Sequence, residues 1–122
     1  MNREAIFTER ELDVMDILWE RGSGTVGEVQ ERISDDLAYT TILTVLRTLE
    51  EKGYVGHELE GRAYRYYPLV ERADARESHV RRLLDTLFSG SPELLMVQLV
   101  SEHGLTPHEA ERIRRLLDER VG

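Results

Sequence analysis

Four threonines and one arginine occupy one side of a predicted helix between Ala38 and Leu49. At about 100° per residue, apolar side chains occupy the other side. Threonine forms helices poorly, so a merely solvated face is normally built from Glu, Lys, Gln and Arg. Threonine hydroxyls form hydrogen bonds with phosphates and base edges, and arginine forms bidentate hydrogen bonds with guanine or phosphate. The pattern therefore predicts a DNA-contacting face, the alternative being an inert surface; its candidate residues are Tyr39, Thr40, Thr41, Thr44, Arg47 and Thr48.

The overall charge opposes this interpretation. The chain has 122 residues and a formal net charge of −8, which is unusual for a nucleic-acid binder. However, Arg47 is the only formal charge from Leu37 to Leu49, and the stretch from Gly61 to Tyr67 carries Arg62 and Arg65 without a carboxylate. We therefore expect DNA binding confined to these two segments and weak non-specific affinity.

Three short helices are predicted before residue 54. Thr8 and Glu11 form the pattern of a capping box at the start of the first helix, and Thr25 and Glu28 form a second one. The segment Gly22-Ser23-Gly24 ends the first helix, and the threonine-rich helix is the third. Three short helices with tight connections and an exposed third helix are typical of a helix-turn-helix.

A β-hairpin is predicted directly after the third helix. The runs from Tyr54 to Leu59 and from Arg62 to Tyr67 flank a turn at Glu60-Gly61. This hairpin would make the module winged and place Arg62 and Arg65 beside the duplex. Whether Tyr64 and Tyr66 pack inward or face DNA stays open at this stage. Residues 1–70 are therefore predicted to be a winged helix-turn-helix domain, and the whole fold to be mainly α with a small β-hairpin.

Residues 71–122 are predicted to form three amphipathic helices. About fifty residues are too few to bury such apolar stripes alone. The economical solution is a second copy of the chain, so this region is predicted to be a helical dimerisation domain; the alternative is a monomer whose tail folds onto the first module. The candidate contact residues are Leu83, Leu84, Leu87, Leu95, Leu99, Ile113, Leu116 and Leu117.

Other classes of protein find little support. The chain has no cysteine, and its four histidines lack the spacing of a metal site. No phosphate-binding loop or nucleophile elbow is present, so we expect neither an enzyme nor a cofactor. No apolar run is long enough for a membrane span or a secretory signal, so a cytoplasmic protein without membrane insertion is expected.

Three segments together resemble the penicillinase-repressor family of bacterial transcription factors, the BlaI/MecI/CopY type. They are the run from Glu11 to Trp19, the third helix from Thr41 to Gly53, and the wing from Gly61 to Tyr66. The resemblance extends from about Phe7 to the C-terminus. It implies a winged-helix homodimer that binds a palindromic operator and blocks transcription, in some members of β-lactam resistance genes.

The resemblance also implies ways in which repression is relieved. Copper-responsive members use a Cys-x-Cys pair, which this chain lacks. In β-lactam-responsive members a membrane sensor metalloprotease cuts an Asn-Phe bond, and the matching position here is Gln98-Leu99. The surroundings fit but the bond differs, and Leu99 could equally be an apolar core residue of the fifth helix.

Two further functions stay open. The threonine face could dock a protein partner instead of DNA, or the repressor could respond to a small ligand bound between tail and wing. The salt dependence of binding affinity distinguishes docking of a protein partner from DNA binding. Each neutralised phosphate contributes roughly 0.9 to the slope of log affinity against log salt concentration. No sequence motif indicates the ligand pocket.

Overall fold

The computed structural model describes residues 4 to 121, and these form two compact units. One unit ends at Val80 and the other begins at Arg81. The prediction of a mainly helical fold with a small β-sheet is confirmed. No helix in residues 4–121 has the length and apolar character to cross a bilayer. The elements in chain order are α1 (Glu9–Arg21), β1 (Gly24–Thr25), α2 (Val26–Arg32), α3 (Tyr39–Glu51), β2 (Val55–Glu60), β3 (Ala63–Pro68), α4 (Arg72–Leu87), α5 (Pro92–Glu102) and α6 (Pro107–Val121).

Reciprocal capping boxes start α1 and α2, as the sequence predicts. Thr8 Oγ1 accepts from the Glu11 amide at 3.1 Å, and Glu11 Oε1 accepts from the Thr8 amide at 2.8 Å. Thr25 and Glu28 repeat the arrangement, with bonds of 3.1 and 3.2 Å. Gly22 ends α1 in the left-handed conformation, with φ at 89°. Each box satisfies two amides that a helix start would otherwise leave unbonded, so both helix starts are fixed locally.

The core of the first unit is formed where the apolar faces of α1, α2 and α3 meet. Burial of each such side chain contributes about 1.5–3 kcal/mol, which holds the short helices in one arrangement. The apolar side of α3 that the sequence predicts is buried or half-buried. The largest fully buried side chains are Tyr66, Met15, Leu18, Ile42, Leu46, Leu49, Val14, Val29 and Val55.

A three-stranded antiparallel sheet with the order β1-β3-β2 flanks this core. The hairpin pairs Glu60 with Ala63, so the turn consists of Gly61 and Arg62 rather than the predicted Glu60 and Gly61. Gly61 adopts a φ of 63°, which glycine tolerates without strain. The sequence analysis missed β1, whose residues Gly24 and Thr25 pair with Tyr66 and Arg65. This short strand ties the start of α2 to the middle of the wing.

The first unit continues past the predicted boundary at Val70 because the start of α4 packs on it. The Ala5 amide donates to Ser78 Oγ at 2.9 Å, and the Phe7 amide donates to His79 Nε2 at 3.1 Å. The Trp19 indole N–H donates to the Val70 carbonyl at 2.8 Å. These bonds place the first part of α4 in the same unit as α1.

The second unit has well-formed helix starts but no buried side chain among residues 81–120. Ser91 caps α5, and Thr106 and Glu109 form a reciprocal capping box at the start of α6 with bonds of 3.0 and 3.1 Å. Local signals therefore define these helices, while their apolar side chains lack a core within the described part of this unit.

Candidate nucleic-acid interface

Burial of one face of α3 turns its opposite face outward. Ile42, Leu46 and Leu49 are completely buried, whereas Thr40, Thr41, Thr44 and Arg47 are exposed and Thr48 is half-buried. Tyr39 is exposed at the helix start. The structure therefore brings all six predicted α3 residues to one accessible side of the helix.

The first turn of α3 differs from those of α1 and α2. Its N-cap is Ala38, which makes no side-chain capping bond, and no acidic residue lies in the first turn. Backbone amides at such a helix end are partly positive and suit a phosphate oxygen. Thr40 and Thr41 lie in this turn and add hydroxyl groups. The start of α3 thus offers both kinds of donor to one anion.

Thr44 uses its hydroxyl group within the helix. Its Oγ1 donates to the Thr40 carbonyl at 2.9 Å, a common bond between a threonine and the carbonyl four residues earlier. The hydroxyl proton is therefore engaged, and the side chain presents its methyl group and oxygen lone pairs to a ligand. This chemistry suits apolar contact with a thymine methyl group.

The other end of α3 is tied to the start of α1. Lys52 Nζ lies 2.8 Å from Glu11 Oε2, and Glu11 is buried. Burial alone would raise the pKa of Glu11, but the bonds from Lys52 and Thr8 outweigh it and hold the pKa below its ordinary value. The carboxylate thus stays charged and joins the start of α1 to the end of α3.

Two of the three predicted basic contacts are free to bind a ligand. Arg47 on α3 and Arg62 in the wing turn are exposed, and within residues 4–121 neither guanidinium has an ion-pair or hydrogen-bond partner. Unpaired cations on a strongly acidic chain are available to phosphate or guanine. They lie on the helix and the wing, as the predicted interface requires.

Arg65, the third predicted basic contact, is instead held by carboxylates. Its guanidinium lies 2.8 Å from Glu28 and 2.9 Å from Glu60, and it also contacts Ser23 at 3.3 Å. The hydrogen bond from Arg65, with further support from Thr25, holds the pKa of Glu28 at about 2. The same guanidinium lowers the pKa of Glu60. In this structure Arg65 joins the wing to the start of α2.

The two undecided tyrosines have different environments although they share a strand face. Tyr66 is 2% exposed and Tyr64 is 48% exposed. Burial raises the pKa of Tyr66. The Tyr64 and His57 rings are tilted at 58° to each other with their centroids 4.6 Å apart, and His57 also contacts Glu50 of α3. Tyr66 is therefore a core residue, and Tyr64 is a surface residue of the wing that the sequence analysis did not assign.

The predicted dimerisation residues lie on α4, α5 and α6, and none is buried in the described single chain. Leu87 is the most exposed, at 74%. Gln98 and Leu99 are both exposed within α5, so Leu99 is not a core residue of this unit. The others are half-buried or exposed: Leu83, Leu84, Leu95, Ile113, Leu116 and Leu117.

Across residues 4–121 no group of three or more His, Cys, Asp or Glu side chains could hold a metal ion. The exposed face of α3, its uncapped start and the exposed Arg62 in the wing turn all belong to this unit. Together with the fold, they define a winged helix-turn-helix protein.

Comparison with known proteins places the chain more narrowly. The family model described as penicillinase repressor matches residues 7–119. The transcriptional regulator BlaI of Mycobacterium tuberculosis (strain H37Rv) is 39% identical over 110 residues, which cover 87% of this chain and 78% of that protein. The chain belongs to the penicillinase repressor family. It is a DNA-binding transcriptional repressor and not an enzyme, as the sequence analysis predicts.

Solved structures support this assignment. The DNA-binding domain of the repressor BlaI has a TM-score of 0.53 and 32% identity, covering 61% of this chain and 93% of that chain. Monomeric BlaI of Bacillus licheniformis, determined in complex with the blaP half-operator, has a TM-score of 0.52 and 30% identity with the same coverage. The matched part corresponds to a DNA-binding domain.

The pairing of Glu28 predicts a pH-dependent contribution to stability. Because the pKa of Glu28 falls from an ordinary 4.5 to about 2 on folding, its contribution is complete above about pH 5 and is lost as pH falls toward 2. At pH 7, Glu28→Gln should lower the free energy of unfolding by about 1 kcal/mol. Urea denaturation from pH 7 to 3 measures this difference.

The difference between Glu28→Gln and the parent chain should shrink steadily below pH 5. Glu31→Gln, a substitution of an exposed residue on the same helix, is the matched control and should change stability little at any pH. An unchanged Glu28→Gln deficit down to pH 3 would contradict the assigned ion pair.

Proposed function

We propose that this chain represses transcription as a homodimer that binds a dyad-symmetric operator, reading DNA with α3 and the wing. The observation that carries the proposal is the combination of an uncapped, acid-free start of α3 with two arginines, Arg47 and Arg62, that have no ion-pair partner among the described residues. The relative solved with a half-operator supports it, because that protein shares the matched domain.

In the proposed complex α3 lies in the major groove. Thr41 and Thr44 meet base edges or thymine methyl groups, and Thr40, Arg47 and Thr48 contact phosphate or guanine. Tyr39 reaches the backbone, and Arg62 holds the phosphates or minor groove beside the wing. We assign Arg65 to supporting the wing, because binding DNA would require it to leave Glu28 and Glu60.

The C-terminal helices supply the proposed dimer contact. In α5 the exposed apolar side chains lie all round the helix: Leu94, Met96, Val97, Leu99 and Val100. A helix that is apolar all round needs a partner surface. Two winged modules joined in this way would match half-sites about one or two helical turns apart, in the cytoplasm where the chromosome lies.

Cleavage by a membrane sensor metalloprotease would relieve repression by acting on the dimer contact rather than on the DNA-binding surface. Gln98 and Leu99 lie within α5, so cleavage between them would divide a helix of the proposed dimer contact. This Gln-Leu bond is not the Asn-Phe bond cut in the relatives that the sequence resembles. We therefore propose loss of the dimer as the step that relieves repression and leave the bond unassigned.

Substitution of the two unpaired arginines tests the DNA interface. Arg47→Ala should cost about 1–3 kcal/mol and relax sequence preference, because Arg47 is assigned to phosphate or guanine from within the groove. Arg62→Ala should weaken operator and scrambled DNA equally and reduce the salt slope by about 1. Fluorescence anisotropy on both DNAs over a salt series measures these effects.

Arg112→Ala, a substitution of an exposed residue on α6, is the control and should change neither affinity nor slope. Equal losses on operator and scrambled DNA for Arg47→Ala would contradict its role in sequence preference. Absence of any salt-dependent DNA binding by the parent chain would favour the alternative in which the threonine face docks a protein.

The bond within α3 predicts that Thr44 reads DNA with its methyl group. Thr44→Val keeps a methyl group in place and should change operator affinity less than twofold. Thr44→Ser loses that group and should weaken binding about fourfold, since a buried methyl contributes about 0.8 kcal/mol. Replacing the contacted thymine by uracil should weaken the parent chain equally and Thr44→Ser no further. A large loss for Thr44→Val instead would assign the hydroxyl group to DNA.

The exposed leucines predict that operator binding depends on dimerisation. Leu116→Asp places a charge in the proposed contact and should give monomers in sedimentation equilibrium, with operator affinity reduced more than tenfold by loss of the second module. Arg115→Asp, a substitution of an exposed residue on the opposite side of α6, should remain dimeric. A monomeric Leu116→Asp that binds the full operator normally would overturn this part of the proposal.

A further inference from the structure

A cavity of about 340 Å³ opens between α1 and the first turns of α4, within the first unit. One part of its wall is apolar and another is cationic or polar. This volume lies within the range of small-molecule sites in proteins. The apolar part consists of Leu12, Trp19 and Ala75. The cationic or polar part consists of Arg72, Arg76 and His79.

The cavity is positively charged although the chain is acidic. Arg72 lies over the Trp19 ring at 5.4 Å and is 3.6 Å from Asp16, which also borders the cavity. Arg76 is exposed, and its guanidinium has no ion-pair partner within the part of the chain that the structure describes. Arg72 and Asp16 offset each other, so Arg76 leaves the cavity with a net positive charge.

His79 adds a hydrogen-bond donor to the same wall. Its Nε2 accepts the Phe7 amide proton at 3.1 Å, so the neutral ring must carry its own proton on Nδ1. The Phe7 ring lies parallel to the imidazole, with the two centroids 6.3 Å apart. The backbone of the N-terminal segment thus sets the tautomer of His79.

We propose that this cavity binds a small aromatic carboxylate. The aromatic ring packs against Trp19, Leu12 and Ala75, and the carboxylate pairs with Arg76, assisted by His79. An apolar wall beside an unpaired guanidinium complements both parts of such a molecule. The inference goes beyond the proposed operator binding. Since α1 also packs against α3, a ligand bound here would contact a helix that directly supports the proposed DNA interface.

Trp19 is the only tryptophan in the chain and therefore reports directly on the cavity. The purified full chain, without DNA, is titrated with benzoate and phenylacetate while its tryptophan fluorescence is recorded. We expect a saturable change with a dissociation constant of about 1 mM or below, the range for ligands of this size. Benzamide, which keeps the ring and lacks the charge, should bind at least tenfold more weakly.

Arg76→Gln should weaken benzoate binding at least tenfold. Arg32→Gln, which replaces an exposed arginine on α2, is the matched control and should bind as the parent chain does. Trp19→Phe removes the fluorescence signal but keeps an aromatic wall, so calorimetry should still detect binding to it. Unchanged circular dichroism of each variant shows that the fold is retained.

The proposal is overturned if neither fluorescence nor calorimetry shows saturable binding, or if Arg76→Gln and Arg32→Gln behave alike. Equal affinity for benzamide would also overturn it, because the charge would then play no part. Affinity that falls as the protein concentration rises would show that a second copy of the chain fills the cavity instead. Failure of operator binding would leave all these outcomes unaffected, since no DNA is present.

Discussion

Burial of Ile42, Leu46 and Leu49 fixes the rotation of α3 about its own axis, and every proposed DNA contact depends on that rotation. On a helix, a shift of one residue turns the surface by about 100°. The threonines and Arg47 would then face the core or the sheet instead of a ligand. The apolar stripe thus serves the packing of the unit and the placement of its polar face at once.

Polar contacts between distant residues complete this placement at the end of α3 and in the wing. Glu11 joins the capping box of α1 to Lys52 just after α3. Arg65 joins the wing to the capping box of α2 through Glu28. In both cases a glutamate that already satisfies a helix start also accepts a cation from another element. Each contact therefore holds two elements in a fixed relation.

The same pairings account for how an acidic chain can present a surface for DNA. Three carboxylates of the first unit are held by cations of the same unit: Glu28 and Glu60 by Arg65, and Glu11 by Lys52. Arg47 and Arg62 keep their charges unpaired within the described residues. These two arginines and the helix start therefore place positive charge locally on a chain whose net charge is −8.

Local signals in the sequence predict the helices, whereas contacts between distant segments cannot be predicted from such local signals. The Thr-x-x-Glu pattern at Thr8 and Thr25 predicts a helix start because its bonds span three residues. By contrast, β1 is too short to show a period, so the pairing of Thr25 with Arg65 has no sequence signal. Without that pairing, Arg65 looked like a free cation of the wing. Tyr64 and Tyr66 lie on the same strand face, but the core covers only Tyr66.

The contrast between the two units bears on how such a repressor could be controlled. The first unit has its own core, so its fold does not require a partner. The second exposes Leu87, Leu94 and Val97, so in the proposed dimer its stability would depend on protein concentration. Linking two modules raises the effective concentration of the second half-site contact without any new contact to DNA. A signal that separates the dimer would then remove most operator affinity while leaving each winged module folded, and control need not act on α3 at all.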